Sequence, residues 1–172
     1  MNKRWEILPI DEKKQILLEK NLHISSSLAE ILTRKNLDEN SAKLFLNPTK
    51  IPYHDPFLLK DMEKACQRLL LALKNKEKIC IYGDYDVDGV SSTALLMTVF
   101  TRLGFNIDYY LPDRHSEGYG LHIESLQKLI PKYDLLITVD CGITALDEVD
   151  YAKDKIDMII TDHHLPREIL PD

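Results

Sequence analysis

The sequence lacks any uninterrupted apolar run near the roughly 20 residues that a membrane-spanning helix requires, which excludes such a helix. Its first residues, MNKRWEILPIDEKK, have neither the apolar segment nor the small-residue cleavage site of a secretory leader. The expectation is a cytosolic, cytoplasmic protein with no membrane partner. Cysteine is scarce. Cys66, Cys80 and Cys141 are odd in number and scattered, which suits neither a disulfide framework nor a zinc knuckle. Positive charge is not in excess either: 22 Lys and Arg stand against 28 Asp and Glu, a formal net charge of −6. A chain that grips duplex DNA through its phosphates is usually basic. Composition therefore weighs mildly against a nucleic-acid partner, unless bound metal neutralises several acids or a basic surface lies in another part of a larger protein.

What is present is an ordinary globular balance, 44% hydrophobic and 29% charged over 172 residues, arranged in two regions. Residues 1–60 read as a small helical N-terminal lead-in. SLAE, at 27–30, has the form of a capping box with Ser27 as the cap, and Asp38 is placed to cap a second short helix that stops at Asn47-Pro48. IPYHDPF is a two-proline connector. Residues 61–172 open with Met62, Ala65, Cys66, Leu69, Leu70 and Leu73 at helical spacing, one apolar stripe. From residue 78 four short apolar runs recur, ICIYG, NIDYYLP, LLITVD and DMIITD, about 22 to 28 residues apart. Helix-like stretches at 91–103, 121–130 and 145–153 separate them. This alternation predicts an α/β fold, a parallel sheet with crossover helices covering both faces.

The polar residues then fall into order. Asp84, Asp86 and Asp88 follow the first run, Arg114 and His115 the second, Asp140 the third, and Asp162, His163 and His164 the fourth. All lie at the C-terminal ends of parallel strands, the edge where open α/β sheets bind ligands.

DYDVDG opens like a calcium EF-hand loop. However, the twelfth position is Leu95 rather than Glu, and a strand-like run precedes it instead of a helix. A solvated acidic turn with a glycine at positive φ is the plain alternative. Three carboxylates within five residues repel one another, and a divalent cation removes that conflict. Asp140 is open to reading as a helix cap, and Cys141 as a small buried residue. Adjacent histidines on extended backbone point to opposite sides, so one can coordinate a metal while the other touches substrate; Asp162 could orient the ligand imidazole, or the segment is simply a polar turn. Arg114 could hold a phosphate with its planar fork, beside a loop shaped by Gly118 and Gly120 around Tyr119; a solvated loop is the alternative. Carboxylates with imidazole favour Mn²⁺ or Mg²⁺ over a thiolate zinc site or calcium.

GDYDVDGVSSTALL, PDRHSEGYGL, LLITVDCGI and IITDHHLP resemble, in this order and spacing, the first motifs of the DHH phosphoesterase superfamily. Within it, the chain is most similar to the bacterial single-strand-specific 5′→3′ DNA exonucleases. LAEILTRKNLDENSAKLFLNP and DPFLLKDMEKACQRLLLAL look like the helical lead-in of those enzymes, so the resemblance covers nearly the whole chain. It implies two-metal phosphodiester hydrolysis, with two Mn²⁺ or Mg²⁺ ions and single-stranded DNA as substrate, in recombination and repair beside other repair proteins.

By position, it implies metal ligands at Asp86 and Asp88, with Asp84 beside them as ligand or support. Asp140 bridges two metals, His163 is a ligand oriented by Asp162, and His164 contacts the scissile phosphate. Arg114 meets the substrate phosphate, with Gly118, Tyr119 and Gly120 beside the site. Many relatives carry a His four residues before Asp86, where this sequence has Tyr82, so the first metal is expected to have one imidazole fewer. Competing readings are a phosphatase of the same superfamily for short oligonucleotides or cyclic dinucleotides, and a catalytically dead remnant. The sequence stops at Asp172, ahead of the further aspartate ligand and second subdomain that the resemblance implies. A truncated chain with an unfinished site is the expectation.

Overall fold

The computed structural model describes Glu6 and residues 9–172. They form two compact units, which divide between Pro56 and Phe57.

In the first unit, α1 (Glu12–Leu22), α2 (Ser26–Arg34) and α3 (Glu39–Leu46) enclose Leu18, Ala29, Leu32 and Ala42. Asp38 caps α3 as the sequence predicts, accepting the Ser41 N–H at 2.7 Å. The cap of α2 is Ser25, two residues ahead of the expected Ser27; its hydroxyl accepts the Leu28 N–H at 3.4 Å. The earlier start brings Ser26 against α1, where the Gln15 amide donates to its hydroxyl and its carbonyl.

The second unit runs α4 (Met62–Asn75), β1 (Lys78–Tyr82), α5 (Val87–Arg102), β2 (Asn106–Tyr110), α6 (Ile123–Leu129), β3 (Leu135–Val139), α7 (Leu146–Ala152) and β4 (Asp157–Thr161). All four expected strands form, every pair parallel, in the order β2-β1-β3-β4. Successive side chains on a strand point to opposite faces, and the core divides accordingly. Cys80, Tyr82 and Leu136 pack on one face with Leu126 and Leu129 of α6 and Val149 and Ala152 of α7. Ile79, Leu135 and Ile137 pack on the other with Ala72 of α4, joined by Leu69, Leu96 and Phe100. The expected α4 stripe is narrower than its sequence: Leu70 is 65% exposed. Arg68 ties the two ends of this layer together. Its guanidinium lies 2.6 Å from Glu77, just before β1, and 2.5 Å from Asp157, which opens β4.

This order has a consequence for ligands. The chain goes from β1 outward to β2, then returns through α6 to β3 on the other side of β1. The crevice beyond β1 and β3 is therefore the point where the winding reverses, the usual ligand position in an open parallel sheet.

Candidate metal centre

The turn after β1 is built by close packing. A Cβ on Gly89 would lie 2.4 Å from the Asp84 carbonyl oxygen and 2.5 Å from its nitrogen, and one on Gly83 would lie 2.2 Å from the Thr93 hydroxyl. Gly89 is helical rather than a positive-φ turn residue. It is glycine because the first turn of α5 rests on the backbone of Asp84. Helix α5 begins at Val87, one turn before the predicted start, since Asp86 caps it: one carboxylate oxygen accepts the N–H of Asp88 at 2.9 Å and of Gly89 at 3.1 Å. The acidic turn is thus entered from a strand, where an EF-hand loop is entered from a helix.

Beyond β3, Asp140 adopts a left-handed backbone at φ +61° and is 7% exposed. Its N–H donates to the Thr161 carbonyl at 3.0 Å, which fixes it against the end of β4. It does not cap the next helix; the residue in that position is Ala145. Gly142 sits in a close approach: a Cβ there would lie 2.9 Å from the Thr138 hydroxyl.

Beyond β4 the two histidines do not point to opposite sides as the sequence suggested: the strand ends at Thr161, and their rings lie side by side with centroids 4.8 Å apart, although their closest partners differ. His163 Nε2 lies 3.0 Å from Asp140 Oδ1. His164 turns to Asp162, whose Oδ1 takes its N–H at 3.0 Å and its Nδ1 at 2.7 Å. Asp162 therefore orients His164, not His163 as the sequence suggested, because its other oxygen is tied to the Ile143 N–H at 3.0 Å and holds the carboxylate on that side.

Two ligand-capable sets result. Asp84, Asp86 and Asp140 each offer an oxygen within 4.8 Å of the others, and Asp140, His163 and His164 do likewise. Asp140 belongs to both. Asp88 is in neither, and instead lines a cleft of about 440 Å³ with Ser91, Ser92, Asp140 and His163. Tyr82, where the resemblance led us to expect one imidazole fewer, is fully buried; its hydroxyl donates to the Gly120 carbonyl at 2.9 Å and its ring stacks on Tyr110.

The other expected residues reach the same rim. The Arg114 guanidinium lies over the Tyr85 ring at 5.4 Å, beside the acidic turn. The Tyr119 hydroxyl lies over the His164 ring, 3.1 Å from Nε2 and 3.3 Å from Nδ1, and Tyr119 is flanked by Gly118 at φ +82° and Gly120 at φ +90°. Two contributors escaped the sequence reading. Tyr85 alternates with Asp84 and Asp86 and takes Arg114 on its ring. Glu117 accepts the Tyr110 hydroxyl, the Lys128 ammonium and the Asp113 N–H, and so pins the loop before Tyr119. Its place between two charged residues and a Gly-Tyr-Gly run was the available signal.

The electrostatics fit a cation. Burial pushes the Asp84 carboxyl above its ordinary range, and the charge of Asp86 adds to it. Burial and Asp86 also raise Asp140, against the opposing effect of the two histidines. The Gly89 N–H holds Asp86 low. Burial would raise Asp162, but the N–H groups of Ile143 and His164 and the His164 ring outweigh it, and the net direction is down; Asp162 in turn raises His164. Asp84 decides the fit. It is 1% exposed, and neither carboxylate oxygen has a hydrogen-bond partner among the described residues. A buried, unpaired carboxylate is costly, and a hard divalent cation with oxygen and imidazole ligands relieves it.

Comparison with known proteins gives the family. The profile of the DHH family, N-terminal domain, matches residues 78–172. The single-stranded-DNA-specific exonuclease RecJ of Bacillus subtilis is 42% identical over 98% of this chain and 22% of its own length. The enzyme of the same description from Haemophilus influenzae is 41% identical over 82% of this chain and 24% of its own. This chain thus spans about a fifth to a quarter of the length of these relatives. A crystal structure of exonuclease RecJ bound to manganese superimposes with a TM-score of 0.65 at 36% identity, over 70% of this chain and 31% of that one. RecJ from Thermus thermophilus in complex with Mn²⁺ gives 0.67 at 27% identity, over 98% of this chain and 24% of that one. Among the described residues no helix is long and apolar enough to cross a membrane. With its four rim motifs, its parallel sheet and the matched profile, the chain belongs to the DHH family.

Proposed function

We propose that this chain carries the metal-binding wall of a single-strand-specific 5′→3′ DNA exonuclease that uses Mn²⁺ or Mg²⁺ and works in the cytoplasm in recombination and repair. The observation that carries this reading is Asp84, buried with both oxygens unpaired, in one set with Asp86 and Asp140.

Asp84, Asp86 and Asp140 would hold one cation, Asp140 and His163 the second, and Asp88 faces the same cleft. Two bound cations supply activation of water and neutralisation of charge on the phosphate oxygens. The residues do the rest. Asp86 is held by α5 through one oxygen, which leaves the other toward Asp140. Asp162 fixes the Nδ1 side of His164, so that Nε2 is the nitrogen from which the protonated ring would donate to a phosphate oxygen. Arg114, steadied on Tyr85, offers a planar fork to a substrate phosphate, and the Gly118-Tyr119-Gly120 loop borders the strand's path.

The test has two measurements. Calorimetric titration of the 172-residue chain with Mn²⁺ should register binding that Asp84→Asn and Asp140→Ala weaken at least tenfold. Release of nucleotides from long 5′-phosphorylated single strands should require Mn²⁺ or Mg²⁺ and exceed turnover of dinucleotides. Absence of Mn²⁺ binding, or preference for dinucleotides, would overturn the reading.

A further inference from the structure

Asp140 hangs from the last rung of the sheet. Strand β3 ends at Val139 and β4 at Thr161, and these two residues are partners in the parallel register. One hydrogen bond follows, from the Asp140 N–H to the Thr161 carbonyl at 3.0 Å. Beyond it the chains part, Asp140 into a left-handed turn at φ +61° and the other strand into Asp162, His163 and His164. Backbone hydrogen bonds open most readily at the frayed ends of elements. A left-handed aspartate is not held there by its own conformational preference either. Yet Asp140 is the residue shared by both ligand-capable sets, so its place depends on what secures that last rung.

Thr161 supplies a second tie at that point. Its hydroxyl donates to the Thr138 carbonyl at 2.7 Å. One residue thus grips β3 on both sides of Val139, through its carbonyl at Asp140 and through its hydroxyl at Thr138. The strand that carries Thr161 runs on to His163, whose Nε2 lies 3.0 Å from Asp140 Oδ1. The clasp therefore joins the two chains that hold this pair, just before they separate. Thr161 is an exposed residue on the cleft that Asp140 and His163 line, so burial does not force its hydroxyl into this bond. Nor does the strand need the hydroxyl, since valine has the same branched shape and suits a strand as well. Thr138 has no such bond: its hydroxyl is fully buried and without a partner among the described residues.

We infer that Thr161 is a positioning residue whose hydroxyl clasp holds the backbone of Asp140, and with it the spacing of Asp140 and His163, in place for a cation. Its purpose rests on the metal-binding reading above; the clasp itself does not.

The experiment compares the 172-residue wild type with Thr161→Val, which keeps the branched shape and loses the hydroxyl, and Thr161→Ser, which keeps the hydroxyl. In the metal-free wild type, three-bond couplings should show Thr161 in a single χ1 rotamer, a result that needs no variant. Amide exchange read by NMR should then be about tenfold faster at the Asp140 N–H in Thr161→Val, beyond any change shared with the amides of β1, and near the wild-type rate in Thr161→Ser. Calorimetry should find Mn²⁺ affinity about tenfold weaker in Thr161→Val, the low end for loss of an outer partner of a ligand. In Thr161→Ser it should stay within about twofold of the wild type, although valine is the better strand former. Affinity would thus follow the hydroxyl, whereas a merely structural role would make it follow the melting temperature. Rotamer averaging at Thr161 in the wild type would overturn the inference. So would unchanged Asp140 exchange or unchanged Mn²⁺ affinity in Thr161→Val, or an equal loss in Thr161→Ser. A wild type that binds no Mn²⁺ but keeps the exchange contrast would remove the functional reading and leave the clasp standing; Mn²⁺ binding without the contrast would do the reverse.

Discussion

Asp140 Oδ1 and His163 Nε2 meet at 3.0 Å across the ends of adjacent strands, and the aspartate that makes the contact stands at φ +61°. A left-handed backbone is uncommon for residues other than Gly, Asn and Asp, and such conformations concentrate at functional sites. Two substitutions separate backbone from charge. Asp140→Asn keeps a side chain that tolerates this conformation, so thermal stability should stay within about 0.5 kcal/mol of the parent, while Mn²⁺ affinity falls at least tenfold. Asp140→Ala should lose the affinity and also about 1 kcal/mol of stability. Denaturant unfolding beside calorimetry reads both.

Glu117 makes the site's supporting loop sensitive to acid. The Tyr110 hydroxyl, and after it Lys128, bring its carboxyl down from 4.5 to about 2, against burial, which acts the other way. A carboxyl lowered on folding stabilises the folded chain above its unfolded value, and that stabilisation is lost as pH falls through the folded value. The contribution, of order 2 kcal/mol after allowance for solvent screening, should therefore be full above about pH 5 and vanish toward pH 2. Glu117→Gln should be less stable than the parent at neutral pH and should flatten this part of the profile. Urea midpoints across that range check it; a parallel decline in both proteins would count against the assignment.

The fold was legible because strand and helix differ in period, and the four apolar runs carry that difference plainly. Strand order was not, since nothing local to β1 states that β3 pairs on its other side; that is decided by packing of α4 with α5 on one face and α6 with α7 on the other. Helix starts slipped where a side chain had two uses. Asp86 reads as a ligand and is also the cap of α5, which moved that helix a turn forward. The acidic and histidine positions of the site could be read off the strand ends, whereas the partner of Asp162 could not. Which histidine it meets depends on where Ile143 fixes its second oxygen, a contact between residues 19 apart.

Gly89 tests the packing under the acidic turn. In an exposed helix, Gly→Ala is stabilising by about 1 kcal/mol. Here the added methyl would lie 2.4 Å from the Asp84 carbonyl oxygen and 2.7 Å from its carbonyl carbon, and both are backbone atoms that cannot rotate away. Overpacking of this kind costs about 1–3 kcal/mol. Gly89→Ala should therefore be less stable than the parent, with Mn²⁺ affinity reduced because Asp84 is displaced. An increase in the unfolding midpoint would mean that α5 can lift from the turn without loss.

Asp162 offers the sharpest contrast between sequence and structure. Had it oriented His163, loss of its charge would disturb a metal ligand, and removal of such outer partners lowers metal affinity about 10- to 100-fold. Its observed partners are instead the ring and N–H of His164 and the N–H of Ile143. In Asp162→Asn one oxygen remains to serve three donors, so about 1–2 kcal/mol of stability should go and the His164 ring should become mobile. His163 keeps its 3.0 Å contact with Asp140, so Mn²⁺ affinity should stay within about threefold of the parent, well short of the loss expected for a ligand's orienting partner. Calorimetry on this one variant discriminates: a drop of tenfold or more would return Asp162 to the role first read from the sequence, or make His164 itself a ligand.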